Sequence, residues 1–142
     1  MAIYSLANRT TGVTTATPAL ELRTGATLRA KVLEIDVFLA AATASTYGIG
    51  RPQAIGVTPT APVSVQPEDS ADPAGSAQTA LAWGTPPTIP LAFFRRIALP
   101  ATIGTGVIWT FPRGLVIPAA NSLVLWNLAT NGVVDCNVVE DE

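Results

Sequence analysis

The chain has 142 residues, 49% of them apolar and only 13% charged, with eight Lys or Arg against ten Asp or Glu and no histidine. That length fits one domain with a real core, and a charged fraction well under the roughly 25% of an average soluble domain excludes a disordered chain. The net charge of −2, the pI near 5.0 and the scatter of basic residues exclude the basic patch of a nucleic-acid binder, to which Arg95-Arg96 is the nearest approach.

A mean hydropathy of +0.40 is high for a domain of this size and predicts that another chain covers part of the surface. The first residues, MAIYSLANRTTG, lack a basic stretch followed by an apolar run, so no signal peptide is expected, and the sequon Asn8-Arg9-Thr10 is read as chance. With Cys136 the only cysteine, no internal disulfide can form, and nothing points to an oxidising compartment.

Twelve prolines and eleven glycines, spread almost evenly, punctuate short apolar runs. That spacing predicts an all-β, antiparallel two-sheet sandwich or barrel occupying residues 1–142 as one domain, with 1–27 as an extended arm or edge segment. The expected strands are Ile3–Ala7, Ala19–Leu22, Leu28–Ala42, Ala54–Val57, Val63–Val65, Gln78–Trp83, Phe93–Leu99, Val107–Phe111, Ser122–Leu128 and Val133–Val139. Leu28–Ala42 also fits a helix, but Val32, Ile35 and Val37 are β-branched and the context is β, which favours a strand with Leu33, Ile35, Val37 and Leu39 on one face.

Gly48-Ile49-Gly50-Arg51-Pro52 reads as a strand-ending turn, and Thr130-Asn131-Gly132 as the turn before the last strand. In that strand Val134, Cys136 and Val138 alternate with Asp135 and Asn137, which places Cys136 in the core. Val107–Phe111 and Leu123–Trp126 are apolar on both faces, so one face should meet the opposite sheet and the other a partner chain. The long uncharged stretches Ala74–Phe94 and Leu115–Val134 are broken by Pro86, Pro87, Pro90 and Pro118, and no membrane span is expected.

Without histidine, Ser-His-Asp and Cys-His sites and histidine metal centres are excluded, and one cysteine cannot build a zinc site. Glu34 and Asp36 would share a strand face roughly 6.6 Å apart at about 3.3 Å per residue, near the spacing of paired glycosidase carboxylates, although a solvated face is the ordinary reading. Glu68, Asp69 and Asp72 share a loop that suits a weak Ca²⁺ site or simple solvation. Lys31, the single lysine, is assigned to the surface.

Trp83, Trp109 and Trp126 are read first as core residues, next as interface anchors and last as platforms for sugar rings. Arg95 and Arg96 alternate across a strand, so one should be partly buried against a carboxylate. The candidate interface residues are therefore Ile3, Tyr4, Trp83, Phe94, Arg95, Arg96, Trp109, Phe111, Arg113 and Trp126. No enzyme activity, cofactor, nucleic acid or membrane is expected.

Several phrases are familiar together: Gly48–Pro52, Ala82-Trp83-Gly84-Thr85, Phe94–Pro100, Val107–Leu115 and Ser122–Asn127. Over roughly residues 28–139 the chain resembles a group of small structural proteins of tailed phages and prophages. The resemblance implies a jelly-roll domain that forms a homotrimer and binds the major capsid protein on the outside of the head as a decoration, or cement, protein, assembled in the host cytoplasm. A receptor- or glycan-binding head of a fibre or spike is the alternative on the same scaffold.

Overall fold

A computed structural model describes residues 2–12, 15–130 and 132–142. Among these there is no helix, and so none long and apolar enough to cross a membrane. The strands are β1 (Ile3–Arg9), β2 (Thr17–Arg23), β3 (Ala30–Leu39), β4 (Ser45–Gly50), β5 (Val57–Pro59), β6 (Val63–Ser64), β7 (Gln66–Pro67), β8 (Gln78–Ala80), β9 (Trp83–Thr85), β10 (Arg95–Leu99), β11 (Gly106–Ile117), β12 (Ser122–Asn127) and β13 (Val134–Asp141).

They form one sheet in the order β11-β3-β13-β1-β7, a second in the order β10-β4-β12-β2-β8-β6, and a small ribbon, β5-β9. All pairings are antiparallel. Strands from the two halves of the chain pair in reverse order: β1 with β13, β2 with β12, β3 with β11 and β4 with β10. The chain thus makes a long two-stranded ribbon whose successive strands alternate between the sheets. Residues 51–94, at the tip of that ribbon, carry β5 to β9.

The core lies between the two main sheets. Val37, Leu39, Trp109 and Val138 from the first meet Leu22, Tyr47, Ile49 and Leu123 from the second, all nearly or fully buried. Burying such side chains contributes roughly 1.5–3 kcal/mol each, which holds the two sheets together without a disulfide.

β3 forms as its β-branched residues predict, but its face changes partway. Glu34 pairs with Val139 and Thr110, whereas Val32 pairs with Glu140 and Leu115, so Leu33 is an extra residue. The bulge turns Ala30 and Val32 inward on one side of it and Ile35, Val37 and Leu39 inward on the other. Leu33, expected on the apolar face, is only half-buried for that reason.

Four other expectations are corrected. Gly48–Gly50 ends β4 instead of forming a turn. Ala54–Val57 is irregular except for its last residue, which opens β5. Gln78–Trp83 divides into the whole of β8 and the first residue of β9. Residues 3–23, assigned to an arm or edge, supply β1 and β2, both interior strands with Tyr4, Leu20 and Leu22 in the core. The turn read at Thr130-Asn131-Gly132 includes Asn131, which lies outside the described residues.

Candidate interaction surface

The outer face of the second sheet is covered by the chain itself. On β12 every residue is buried; Leu123 and Leu125 belong to the core, while Val124 and Trp126 face outward beside Gly50 and Gly48 of β4. Segment 51–94 folds back over these glycines. A Cβ at Gly50 would come within 2.6 Å of Pro90 Cγ, and one at Gly48 within 2.8 Å of the Phe93 ring. The absence of side chains there lets the segment lie flat on the sheet.

A buried carboxylate fastens the same segment. Glu21 of β2 faces outward yet is fully buried, because it accepts hydrogen bonds from the Gly56 N–H at 3.1 Å and from the Trp83 indole N–H at 2.6 Å. Arg23 adds a bond to the Gly56 carbonyl at 3.1 Å. The doubly apolar run Leu123–Trp126 therefore needs no partner chain, and the expectation that it would is corrected: residues 51–94 fill that role.

β11 differs. Val107, Trp109 and Phe111 point inward, while Ile108, 55% exposed, and Thr110 point to solvent at the edge of the first sheet. Four residues, Phe111 to Gly114, bulge between the pairings of Thr110 and Leu115, and Arg113 is exposed at this bulge.

Arg95 and Arg96 are both exposed, and the expected carboxylate is replaced by aromatic rings. The Arg95 guanidinium lies 5.4 Å from the Phe111 ring centre, across the gap between the two sheets, and Arg96 lies 5.7 Å from that of Phe93. Arg51, not singled out in the sequence, stacks 5.1 Å from the Phe94 ring and donates to the Val116 carbonyl at 2.8 Å. Guanidinium groups suit such faces because they are planar and weakly hydrated. Beside them a shallow groove of about 330 Å³ runs between Arg51, Pro90, Leu91 and Phe94, with Leu91 91% exposed. The sequence signal was the juxtaposition Phe93-Phe94-Arg95-Arg96.

The remaining candidates separate clearly. Tyr4, Trp109, Phe111 and Trp126 are buried within this chain, so they cannot anchor a partner. Ile3 is half-buried on the outer face of the first sheet, and Trp83 is half-buried on Glu21. Phe94, Arg95, Arg96 and Arg113 remain accessible and lie along one side of the sandwich, where β10 and β11 end the two sheets.

Glu34 and Asp36 share the outer face of the first sheet, on either side of the Ile35 position. Asp36 is held above the usual carboxylate range by burial, against which a hydrogen bond with Asn137 works. Lys31 is half-buried opposite Asp141, beside an open cleft of about 810 Å³ that includes Leu28, Arg29 and Val116. In the acidic loop, Asp69 Oδ1 accepts the Ala71 N–H at 2.9 Å and so closes its own turn. Among the described residues no group of three or more acidic or cysteine side chains is placed to hold a metal ion.

Among the described residues the single ion pair, Arg9 with Asp135 at 2.7 Å, is exposed and contributes little. Cys136 is buried as its strand pattern requires, and burial, aided by the charge of Asp36, pushes its thiol up to about 12. It is therefore expected to resist a thiol reagent at pH 8 in the folded protein and to react fully once unfolded. Rapid labelling without unfolding would contradict this placement.

Comparison with known protein families, curated proteins and solved structures finds no match for this chain.

Proposed function

We propose that this chain is a virion structural protein, a jelly-roll homotrimer that decorates the outside of a tailed-phage head and braces its shell. The observation that carries the reading is the strand order. Eight strands in two four-stranded sets, β11-β3-β13-β1 and β10-β4-β12-β2, are what results when an antiparallel ribbon is rolled into two facing sheets. The phrases on which the proposed resemblance to small phage structural proteins rests lie largely on this ribbon, in β4, β10, β11 and β12.

The chemistry agrees. A cement protein needs a rigid scaffold and accessible edges, and β10 and β11, which end the two sheets, carry exposed residues such as Arg95, Arg96 and Ile108. Weak contacts to shell subunits become strong when a trimer makes several at once. The fibre-head alternative gains nothing from the tryptophans, since Trp109 and Trp126 are interior and the Trp83 indole N–H is bound to Glu21.

Particles lacking the protein are expected to release their DNA at a lower temperature, and after milder osmotic shock, than complete particles. Adding the purified protein back should restore resistance. Equal survival of both kinds of particle would end the cement reading.

A further inference from the structure

The two sheets end together on both sides of the sandwich: at β10 and β11 on one side, and on the other at β6 and β7, which are neighbours in the chain. The first side carries Arg95, Arg96 and Arg113, with Arg51 stacked against it, all exposed. These are four of the eight basic residues, and among the described residues none is in an ion pair. The second side runs from β7 directly into Glu68 and Asp69, both exposed, and Asp72, half-buried. No Lys or Arg occurs between Arg51 and Arg95 in the sequence, so nothing on this segment offsets that charge.

Each of the two sides also carries exposed apolar side chains. Leu91 and Phe94 are exposed beside the arginines, and Val63 of β6, 47% exposed, stands on the acidic side. A two-fold pairing of like edges would set arginines against arginines or acids against acids, which costs free energy. Opposite edges attract, and a contact between two different patches repeats from copy to copy, giving a ring where the rotation between copies closes and an open filament where it does not.

We propose that copies of this chain associate head to tail, with the arginine–aromatic edge at β10–β11 of one copy seated on the acidic β6–β7 edge of the next. The proposal rests on the oligomeric part of the reading above and names the surfaces that meet. Val63 would enter the groove between Pro90, Leu91 and Phe94, while Glu68 and Asp69 meet Arg96 and Arg113. Arg95 and Arg51 are occupied mainly in joining the two sheets, through Phe111 and the Val116 carbonyl.

The test is sedimentation velocity of the full chain over a range of concentrations and salt. The wild type should form a closed oligomer whose dissociation constant rises with ionic strength, because exposed charges are screened. The double variant R96E/R113E should dissociate at least about tenfold more readily, and so, independently, should E68R/D69R. Joining both sets in one chain restores complementarity and should restore the oligomer, an outcome that misfolding of either variant cannot imitate. An oligomer indifferent to all of these changes would overturn the edge pairing and leave the oligomeric reading standing. A wild type that stays monomeric throughout would overturn both.

Discussion

Replacing Glu140 by glutamine is expected to stabilise the protein at pH 8 by about 1–3 kcal/mol, the scale of relieving one poorly solvated buried charge. Glu140 sits on β13 between Tyr4 and Val32, both core residues, and is fully buried with neither carboxyl oxygen hydrogen-bonded. Burial first, then the charges of Glu142 and Asp141, push it up to about 8. Glu142 is itself fixed by the N–H groups of Ser76 at 2.8 Å and Ala77 at 2.6 Å and by the Ser76 hydroxyl at 3.0 Å.

In the unfolded chain Glu140 returns to its ordinary value of 4.5. Between there and about pH 8 the folded state holds the extra proton, so stability is greatest at the acid end of that window, falls as pH rises through it, and levels off above. Glutamine cannot ionise and removes this slope. Thermal unfolding midpoints measured from pH 4 to 9 should diverge, with the variant gaining on the wild type towards alkaline pH. Parallel curves would show that Glu140 is solvated in the native state.

Glu21→Ala is expected to cost about 2–4 kcal/mol and to act on one region first, because it leaves the Trp83 indole N–H and the Gly56 N–H without their acceptor at a covered site. Those two bonds tie residues 51–94 to the outer face of the second sheet. Hydrogen exchange should lose protection at Gly56 and around β9 while β1, β3 and β13 keep theirs, and the fluorescence of Trp83 should shift to the red. Glu21→Gln keeps an acceptor oxygen and should fall in between. Unchanged protection of the Gly56 amide would mean that the segment is held mainly by Pro90 and Phe93 packing over the glycines.

The legible part of this fold was whatever a strand declares locally. β-branched runs marked β3, the Val134-Cys136-Val138 alternation marked β13 and the interior position of the thiol, and the proline and glycine spacing marked the all-β class. β4 was hidden because Gly48 and Gly50 resemble a turn, yet they are small to admit Phe93 and Pro90 from above. The same return of the chain misled the reading of β12, whose second apolar face signals cover without naming its source.

The candidate interaction surface was legible only in part. Arg95 and Arg96 were visible as unusual, but their partners, Phe111 and Phe93, are set by the approach of two sheet edges and by a loop. Glu21 and Glu140 gave no signal at all. One lies in a strand of mixed composition and the other in a run that reads as an acidic terminus, and each acquires its chemistry from what covers it.

The proposed role is tested most directly by counting this chain against the major shell protein in purified particles of the phage or prophage that encodes it, using quantitative mass spectrometry. A decoration protein should be present in numbers comparable to the shell protein. A few copies per particle would contradict that role and indicate a fibre or spike, and complete absence from particles would contradict a place in the virion.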